Sequence, residues 1–421
     1  METVNVLTIN KKATTNVDLI ISNLSIFVLF MMMLFSMNPW FTWYHNSILV
    51  GISSFLFLFL RLFLFQMKMP YKMFSTVILI FLLFPWLLLL TDSSKLGFLR
   101  LIPILFLGIL MRPEEKRKIL PFTTQMYAWI VGISMIFYVL IVFLNVRLPY
   151  SIIVHPVVVH YPPFRNYIFL LNLDGPQPFY RFRSIFTEPG HLGTISAFLL
   201  YINRYELKRK SVLIIFISVI LSFSLAGYVL LVLGYLIQMA ANSKHIYKTT
   251  LKIAIAIILL GGMGYYFYSK YPDALVSSLI LERLEYDEDT GSIRGNNRNS
   301  DSFNYYYKTY FLTSTENILL GKRLSDSEYM AVFGNGGNNS YKVFLLKYGS
   351  ISLLLLFLLY LSIVAVNPSR LGFGLLLLFS ASFIQRTYAL WDMQLFLFIG
   401  AIQYFYTESN SLYHPIKQHQ S

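Results

Sequence analysis

Cysteine is absent from this chain of 421 residues, and only 13% of its residues are charged. Without cysteine the protein has no disulfide, no thiolate nucleophile and no cysteine-ligated metal. Soluble proteins carry about 25% charged residues, so the shortage of charge argues against a soluble domain. The sequence also has no convincing internal repeat, whereas transporters are often built from matching halves.

Apolar and aromatic residues take the place of the missing charges. Hydrophobic residues make up 56% of the chain, the mean hydropathy is +0.59, and there are 37 Phe and 30 Tyr. This composition predicts an all-α, polytopic integral membrane protein. The aromatic residues suit lipid-facing surfaces, interfacial belts or sugar-stacking sites without choosing among them. The net charge of +14 does not indicate nucleic acid as a partner, because cytoplasmic loops of membrane proteins collect Lys and Arg.

A helix needs about 20 mostly apolar residues to cross a membrane, and about twelve stretches of the chain approach that requirement. The whole chain, 1–421, is therefore predicted to form one polytopic membrane domain. The stretch 211–240 is the least regular, and it fits two helices, one tilted helix or a re-entrant pair. The predicted spans are 17–37, 46–66, 73–90, 96–111, 122–144, 190–203, 211–223, 225–240, 250–268, 342–366, 371–386 and 390–406.

Positive charges predict the orientation of these spans. The connections 112–118 and 204–210 each carry four Lys or Arg residues, whereas 38–45 carries none. The positive-inside rule then puts both termini in the cytoplasm. Two long polar segments, 145–189 and 269–339, fall together on the outer face. That shared placement requires an even number of crossings between the two segments.

The most informative short string closes the first long segment and enters the next predicted helix. It holds Arg181, Arg183, Glu188 and His191, and the helix opens with Pro189. A proline at a helix start leaves the first backbone N–H groups unbonded, and such an end attracts anions. The string is therefore a candidate anion site. A cluster that only anchors the helix at the interface fits the same residues.

The second long segment supplies a further group of polar candidates. Arg294 and Arg298 lie in a Gly/Asn-rich stretch, and guanidinium groups bind phosphate bidentately. Asn338 and Asn339 end a glycine-rich loop ahead of Tyr341, where successive N–H groups could form an anion-binding nest. A solvated loop and a plain turn are the simpler interpretations of these two features.

These motifs, in this order, resemble the O-antigen polymerase and O-antigen ligase superfamily. The resemblance consists of an Arg followed by Phe-Thr-Glu-Pro at 186–189, a Ser-rich helix start at 222–227, Ile-Leu-Leu-Gly-Lys at 318–322, and Asn-Asn-Ser-Tyr at 338–341 ahead of a Tyr-Gly pair. Each motif is degenerate, and their order and placement in the two segments carry the comparison. The resemblance covers roughly residues 180–350 by motif.

The resemblance implies a GT-C-like glycan polymerase in the bacterial cytoplasmic (inner) membrane. Its expected substrate is an undecaprenyl-diphosphate-linked oligosaccharide, and a chain-length regulator and membrane lipid are the other expected partners. No cofactor and no metal are expected. Arg183 corresponds to the first-loop arginine of the family, and Arg294 or Arg298 corresponds to the second-loop arginine.

Roles for the candidate residues follow from this reaction. Arg183 with Arg294 or Arg298 would stabilise the leaving diphosphate. Glu188 is the preferred base for the acceptor hydroxyl, and His191 is the alternative. The remaining substrate-binding candidates are Arg181, Arg100, Asn338, Asn339 and Tyr341. Arg100 fits equally well a side chain that snorkels to the interface.

Two other functions share parts of this pattern. An O-antigen ligase would use the same donor but a lipid A core acceptor. The family's His-Asn string, frequent in ligases, is here Asn338-Asn339, which argues against that activity. A lipid-linked repeat-unit flippase is the more distant alternative, and the absence of matching halves disfavours it.

Overall fold

A computed structural model of the chain describes residues 16–37, 39–43, 71–90, 111–155, 162–175, 180–243, 300–322, 326–333, 340–385 and 395–413, together with short pieces and single residues elsewhere. These residues are mostly helical, as predicted, and they also form two small sheets.

The helices are α1 (Asn16–Ser36), α2 (Phe74–Leu90), α3 (Pro113–Tyr138), α4 (Pro189–Ile202), α5 (Lys210–Ser222), α6 (Leu225–Asn242), α7 (Asp301–Tyr306), α8 (Thr315–Leu320), α9 (Asp326–Phe333), α10 (Tyr341–Val366), α11 (Arg370–Gln385) and α12 (Leu395–Tyr413). A π-helical turn, Val139–Phe143, extends α3, and another, Tyr307–Phe311, extends α7. The strands are β1 (Ser151–Ile153), β2 (Phe164–Asn166), β3 (Leu171–Leu173), β4 (Tyr286–Asp287) and β5 (Ser292–Ile293).

Three of the described helices are long and apolar enough to cross a membrane. They are α3 with its π-helical turn, α6 and α10. Parts of α1, α2, α5, α11 and α12 are apolar but shorter. The predicted spans 46–66, 96–111 and 250–268 lie largely outside the described residues, so the count of about twelve spans stays a prediction.

The stretch 211–240, which the sequence left open, forms two separate helices. Phe223, between α5 and α6, has a left-handed backbone with φ 45°. The hydroxyl of Ser224 then accepts a hydrogen bond from the Gly227 N–H at 3.3 Å and caps α6. Serine is a preferred N-cap residue because its side-chain oxygen satisfies an otherwise unbonded N–H group.

The short helix α4 is the centre of the bundle. Every residue of α4 except His191 is buried. Gly193 and Gly227 allow α4 and α6 to approach closely, since a Cβ on Gly227 would lie 3.0 Å from the Gly193 Cα. On another side, Phe198 stacks on Phe379 of α11 with ring centroids 4.1 Å apart. Packing against α6 and α11 therefore fixes the position of α4 on two sides.

Five helix ends meet where the chain enters α4, and we call this the entrance end of the bundle. The imidazole Nδ1 of His191 lies 3.2 Å from the carbonyl oxygen of Met37, just after α1. Tyr138, at the end of α3, donates a hydrogen bond to the Tyr180 carbonyl at 2.6 Å. Arg181 reaches the end of α5, and α6 begins three residues after that end. The first long segment therefore joins the bundle at the entrance end.

The helix α10 also starts on the entrance side. Tyr201, at the far end of α4, donates a hydrogen bond to the Leu371 carbonyl in the first turn of α11. Because α10 ends only a few residues before α11, the end of α10 lies on the far side of the bundle. Phe344 near the start of α10 meets Phe383 near the end of α11, with centroids 5.3 Å apart. The second long segment thus reaches the bundle on the same side as the first.

The first long segment forms a small antiparallel sheet. The strands pair in the order β1-β2-β3, with Ile153 opposite Phe164 and Phe164 opposite Leu173. Phe164 and Leu171 pack with Trp43 in a cluster of their own. The Pro, Tyr and His residues of this segment, such as His155-Pro156, predict rigid turns rather than a helix. The structure adds the pairing of its strands.

The described part of the second segment packs on the start of α10. The tyrosine-rich stretch from Phe303 to Thr313 favours an amphipathic helix at the interface. A helix is present there as α7 and its π-helical turn. A cluster of Phe303, Tyr307, Phe311, Tyr329, Phe333 and Leu346 joins it to α9 and α10. Gly349, with φ 75° and ψ 174°, interrupts α10 at the point where α8 packs against it.

Candidate functional site

Arg183 is buried in the bend that leads into α4. The residue is only 6% exposed. Its Nη1 donates a hydrogen bond to the Thr187 carbonyl at 3.0 Å. The guanidinium carbon lies 5.6 Å from the centroid of the Phe164 ring in β2. A cation over an aromatic face gains energy from the ring quadrupole. The first segment therefore covers the arginine that the sequence singled out.

Neighbouring elements fix the bend on both sides. Ser184 has a left-handed backbone with φ 53°, and its hydroxyl shares a 2.6 Å hydrogen bond with the hydroxyl of Ser134 in α3. The N–H of Trp40, just after α1, donates to the Ile185 carbonyl at 3.1 Å. The N–H of Phe186 donates to the Arg183 carbonyl at 3.1 Å, which closes the turn. The bend is therefore hydrogen-bonded both to α3 and to the residues that follow α1.

Glu188 and His191 occupy the first turn of α4. Glu188 is the N-cap residue, with an extended backbone, and its side chain makes no capping bond to the helix N–H groups. Both residues are only partly buried, in contrast to Arg183. The structure therefore places three predicted residues, Arg183, Glu188 and His191, within one bend and one helical turn.

Trp43 and His155 complete this region and were not among the sequence candidates. The indole Nε1 of Trp43 donates to the Thr187 hydroxyl at 3.0 Å, although 144 residues separate them. The His155 ring lies 4.6 Å from the Trp43 ring, and burial lowers the pKa of His155. No local pattern identifies Trp43, because its partners belong to distant parts of the chain.

Arg181 caps the end of α5. Its Nε donates to the Ser222 carbonyl at 3.2 Å and its Nη2 donates to the Phe223 carbonyl at 2.7 Å. Cationic side chains near a helix C-terminus satisfy carbonyls that lack a partner within the helix. These contacts give Arg181 a structural role, and its predicted contact with substrate stays a prediction.

Tyr341 opens α10 and is partly buried against the main core. The next residue, Lys342, has its Nζ 5.6 Å from the Tyr307 ring centroid and donates to Asn304 Oδ1 at 3.3 Å. Burial raises the pKa of Tyr307 to about 12, so this phenol stays neutral under the cation. The start of α10 is thus tied to the second segment through a lysine that sequence reasoning did not select.

Five of the sequence candidates lie outside the described residues. The meeting of arginines from the two segments therefore stays a prediction. Among the residues that the structure does describe, no group of three or more His, Asp or Glu side chains stands together as a metal site. The candidates outside the described residues are Arg100, Arg294, Arg298, Asn338 and Asn339.

The described site combines a buried cation with a partly exposed carboxylate at a helix start. A fixed positive charge in surroundings of low dielectric attracts an anion more strongly than the same charge in water. A carboxylate at the helix start can accept a proton from a bound hydroxyl. Comparison of the chain with protein-family models, with curated proteins and with solved structures gives no match.

Proposed function

We propose that the protein is a polysaccharide repeat-unit polymerase of the bacterial inner membrane. It transfers a growing glycan from undecaprenyl diphosphate to a sugar hydroxyl of the next lipid-linked repeat unit. The reaction takes place at the outer face of the inner membrane. The observation that carries the proposal is the bend at the entrance end. There a buried Arg183 precedes Glu188 by five residues, beneath the sheet of the first segment.

The buried guanidinium suits a reaction whose leaving group is a diphosphate. The bond between the anomeric carbon and the diphosphate oxygen breaks, and negative charge grows on that oxygen. Arg183 is held by Thr187 and Phe164, so its charge is in place before the reaction starts. Preorganised charges of this kind stabilise a transition state without reorganisation at the moment of reaction.

Glu188 supplies the base. The acceptor hydroxyl forms the new bond to the anomeric carbon, and its proton passes to the Glu188 carboxylate. Glu188 is the N-cap residue of α4 and is partly buried, which places its carboxylate at the helix start that follows the bend. His191, one turn further along the helix, is the second candidate for the same step.

Substitution of Arg183 tests the proposal most directly. A strain that lacks the chromosomal gene is complemented with Arg183→Ala, Arg183→Lys or Glu188→Gln, and surface polysaccharide is resolved by length. We expect a loss of about 10²–10³ in rate for Arg183→Ala, seen as single repeat units without long polymer. Arg183→Lys fails as well, because lysine lacks the planar guanidinium geometry.

Arg165→Ala is the matched control, because it removes an arginine from the same segment. Arg165 pairs with Asp174 at 2.7 Å on the partly exposed side of the sheet, so long polymer should persist. Long polymer in an Arg183→Ala strain with normal protein levels contradicts the proposal.

The glycan phenotype of the deletion separates the related functions. Loss of a polymerase leaves one repeat unit attached to the lipid core, whereas loss of a ligase leaves none. A purified protein that moves lipid-linked repeats across vesicles without lengthening them would instead be a flippase.

A further inference from the structure

An open apolar groove lies between α3 and α5, away from the bend described above. Its volume is about 960 Å³, and apolar side chains such as Ala128, Ile136 and Ile214 form most of its wall. Arg209 and Lys210, at the start of α5, also line the groove. Volumes of this size lie at the upper end of those found for small-molecule sites.

The two cations lie at the end of the groove far from the entrance. The lining of the groove on α3 runs from Gln125 to Leu140, a length of about 22 Å at the rise of an α-helix. The amide of Asn203, after α4, donates to the Thr124 hydroxyl at 2.9 Å and marks the far end of the bundle. One apolar groove therefore has a cationic end and an uncharged remainder.

The geometry points to an anionic phospholipid as the occupant of this groove. One acyl chain lies along α3, and the phosphate contacts the side chains of Arg209 and Lys210. The connection 204–210 carries four cations and one acid, and Glu206 pairs with the Arg209 Nε at 2.7 Å. This pair orients the guanidinium, and the connection remains net positive. Clusters of Lys and Arg beside membrane helices attract anionic headgroups.

The position of Trp129 further favours a lipid as the occupant. Trp129 lines the groove and is 61% exposed, and indole rings are common at membrane interfaces, where one end is apolar and the other polar. A phospholipid fits both ends of the groove, because its acyl chain suits the apolar wall and its phosphate suits Arg209 and Lys210. The inference does not depend on the proposed polymerase activity.

Native mass spectrometry of the full-length protein tests this inference. The protein is released from nanodiscs that contain either phosphatidylglycerol or phosphatidylcholine, and the retained lipid is counted. We expect wild-type protein to retain phosphatidylglycerol and to lose phosphatidylcholine. The double variant Arg209→Gln/Lys210→Gln should retain roughly tenfold less phosphatidylglycerol, since two cations near the headgroup are removed.

Two matched variants separate the groove from general surface charge. Lys208→Gln removes one cation from the same connection but outside the groove lining, so its retention should match wild type. Gly132→Phe fills the groove and should abolish retention. Gly132→Ala should not, because its Cβ would lie 3.6 Å from Ile214 in ordinary contact.

Three outcomes overturn the inference. They are equal retention of the two lipids by wild-type protein, a loss in Lys208→Gln as large as in the double variant, and full retention in Gly132→Phe. The wild-type comparison stands even where a variant does not fold.

Discussion

The two long segments are held to the bundle in different ways. The first is anchored by distant parts of the chain: Trp40 Nε1 donates to the Ile168 carbonyl at 2.8 Å across 128 residues, and Trp43 reaches Thr187 across 144. The described part of the second is anchored by nearby residues, such as Lys342 and Asn304, 38 residues apart. Long-range anchors fix a bend against several helices, whereas local anchors build a unit on one helix.

The cations where the two segments join the bundle also differ. Arg183 in the first segment is buried beside backbone and under an aromatic ring. At the start of α10, Lys342 and Lys347 instead lie over Tyr307 and Tyr329, with Lys347 Nζ 4.8 Å from its ring centroid. The first segment therefore holds the buried positive charge of Arg183 in a fixed position. The two lysines of α10 instead bind aromatic residues of the second segment.

The contact between the second segment and α10 should show the largest loss of stability on a small substitution, at Gly349. Gly349 has φ 75° and ψ 174°, a conformation essentially confined to glycine, and a Cβ there would overlap the carbonyl of Leu319. Gly349→Ala should lower the free energy of unfolding by about 2 kcal/mol or more. Thermal unfolding of the purified protein measures the loss, and hydrogen exchange locates it at α8 and the start of α10.

Gly132→Ala is the control for this substitution, because it adds the same methyl group inside a regular helix. That change should be neutral or stabilise by about 0.5–1 kcal/mol. If Gly349→Ala unfolds at the same temperature as Gly132→Ala, the close seating of α8 on α10 is wrong.

The anchoring of the first segment to α5 should show a smaller effect. Arg181→Ala removes two hydrogen bonds from a guanidinium to carbonyls at the end of α5, which should cost about 1–3 kcal/mol. Thermal unfolding of Arg181→Ala and Arg165→Ala, side by side, measures the difference. Arg165→Ala breaks a partly exposed ion pair and should cost about 0–1 kcal/mol. A larger loss in Arg165→Ala would reverse the assigned roles.

The smallest expected effect concerns pH and the contact of Trp43 with His155. Burial lowers the pKa of His155 below its ordinary value of 6.5, so the folded state favours the neutral ring. Below pH 6.5 the unfolded chain therefore binds more protons at this residue, and its contribution to stability falls as pH falls. Melting temperatures from pH 8 to 5 should decline less in His155→Gln than in wild type. Parallel curves would contradict this.

Local patterns predicted several parts of the fold. The apolar stretches located seven helices to within two residues, namely α1, α2, α4, α5, α6, α10 and α11. They were less accurate for α3, which begins nine residues before the predicted span, and for α12, which ends seven residues after it. The aromatic run 303–313 identified α7 with its π-helical turn, whereas α8 and α9 were not predicted. The same patterns did not reveal the β1-β2-β3 sheet, because its strands are three residues each and pair across loops. Trp43 and His155 were missed for a related reason, since packing between distant positions leaves no local trace.

The candidate site was predicted only in part. The string around Glu188 marked a helix entrance, and the structure begins α4 at Pro189. By spacing alone, Arg181 and Arg183 are two cations in one string, and only the family resemblance assigned them different roles. Tertiary contacts separate them: one guanidinium caps α5, and the other is buried under Phe164. Arg181 and Arg183 contact different neighbours in the folded protein, and their spacing in the sequence does not predict those neighbours.

The sequence by itself determined the apolar character of the chain, its division into helices and the two polar interruptions. Those properties depend on composition and on residues close together in the chain. Only the tertiary structure decided that α4 is the buried centre, and that the segments before α4 and α10 reach the same side of the bundle. Both facts depend on packing between residues far apart in the chain, because burial and proximity are properties of the assembled helices.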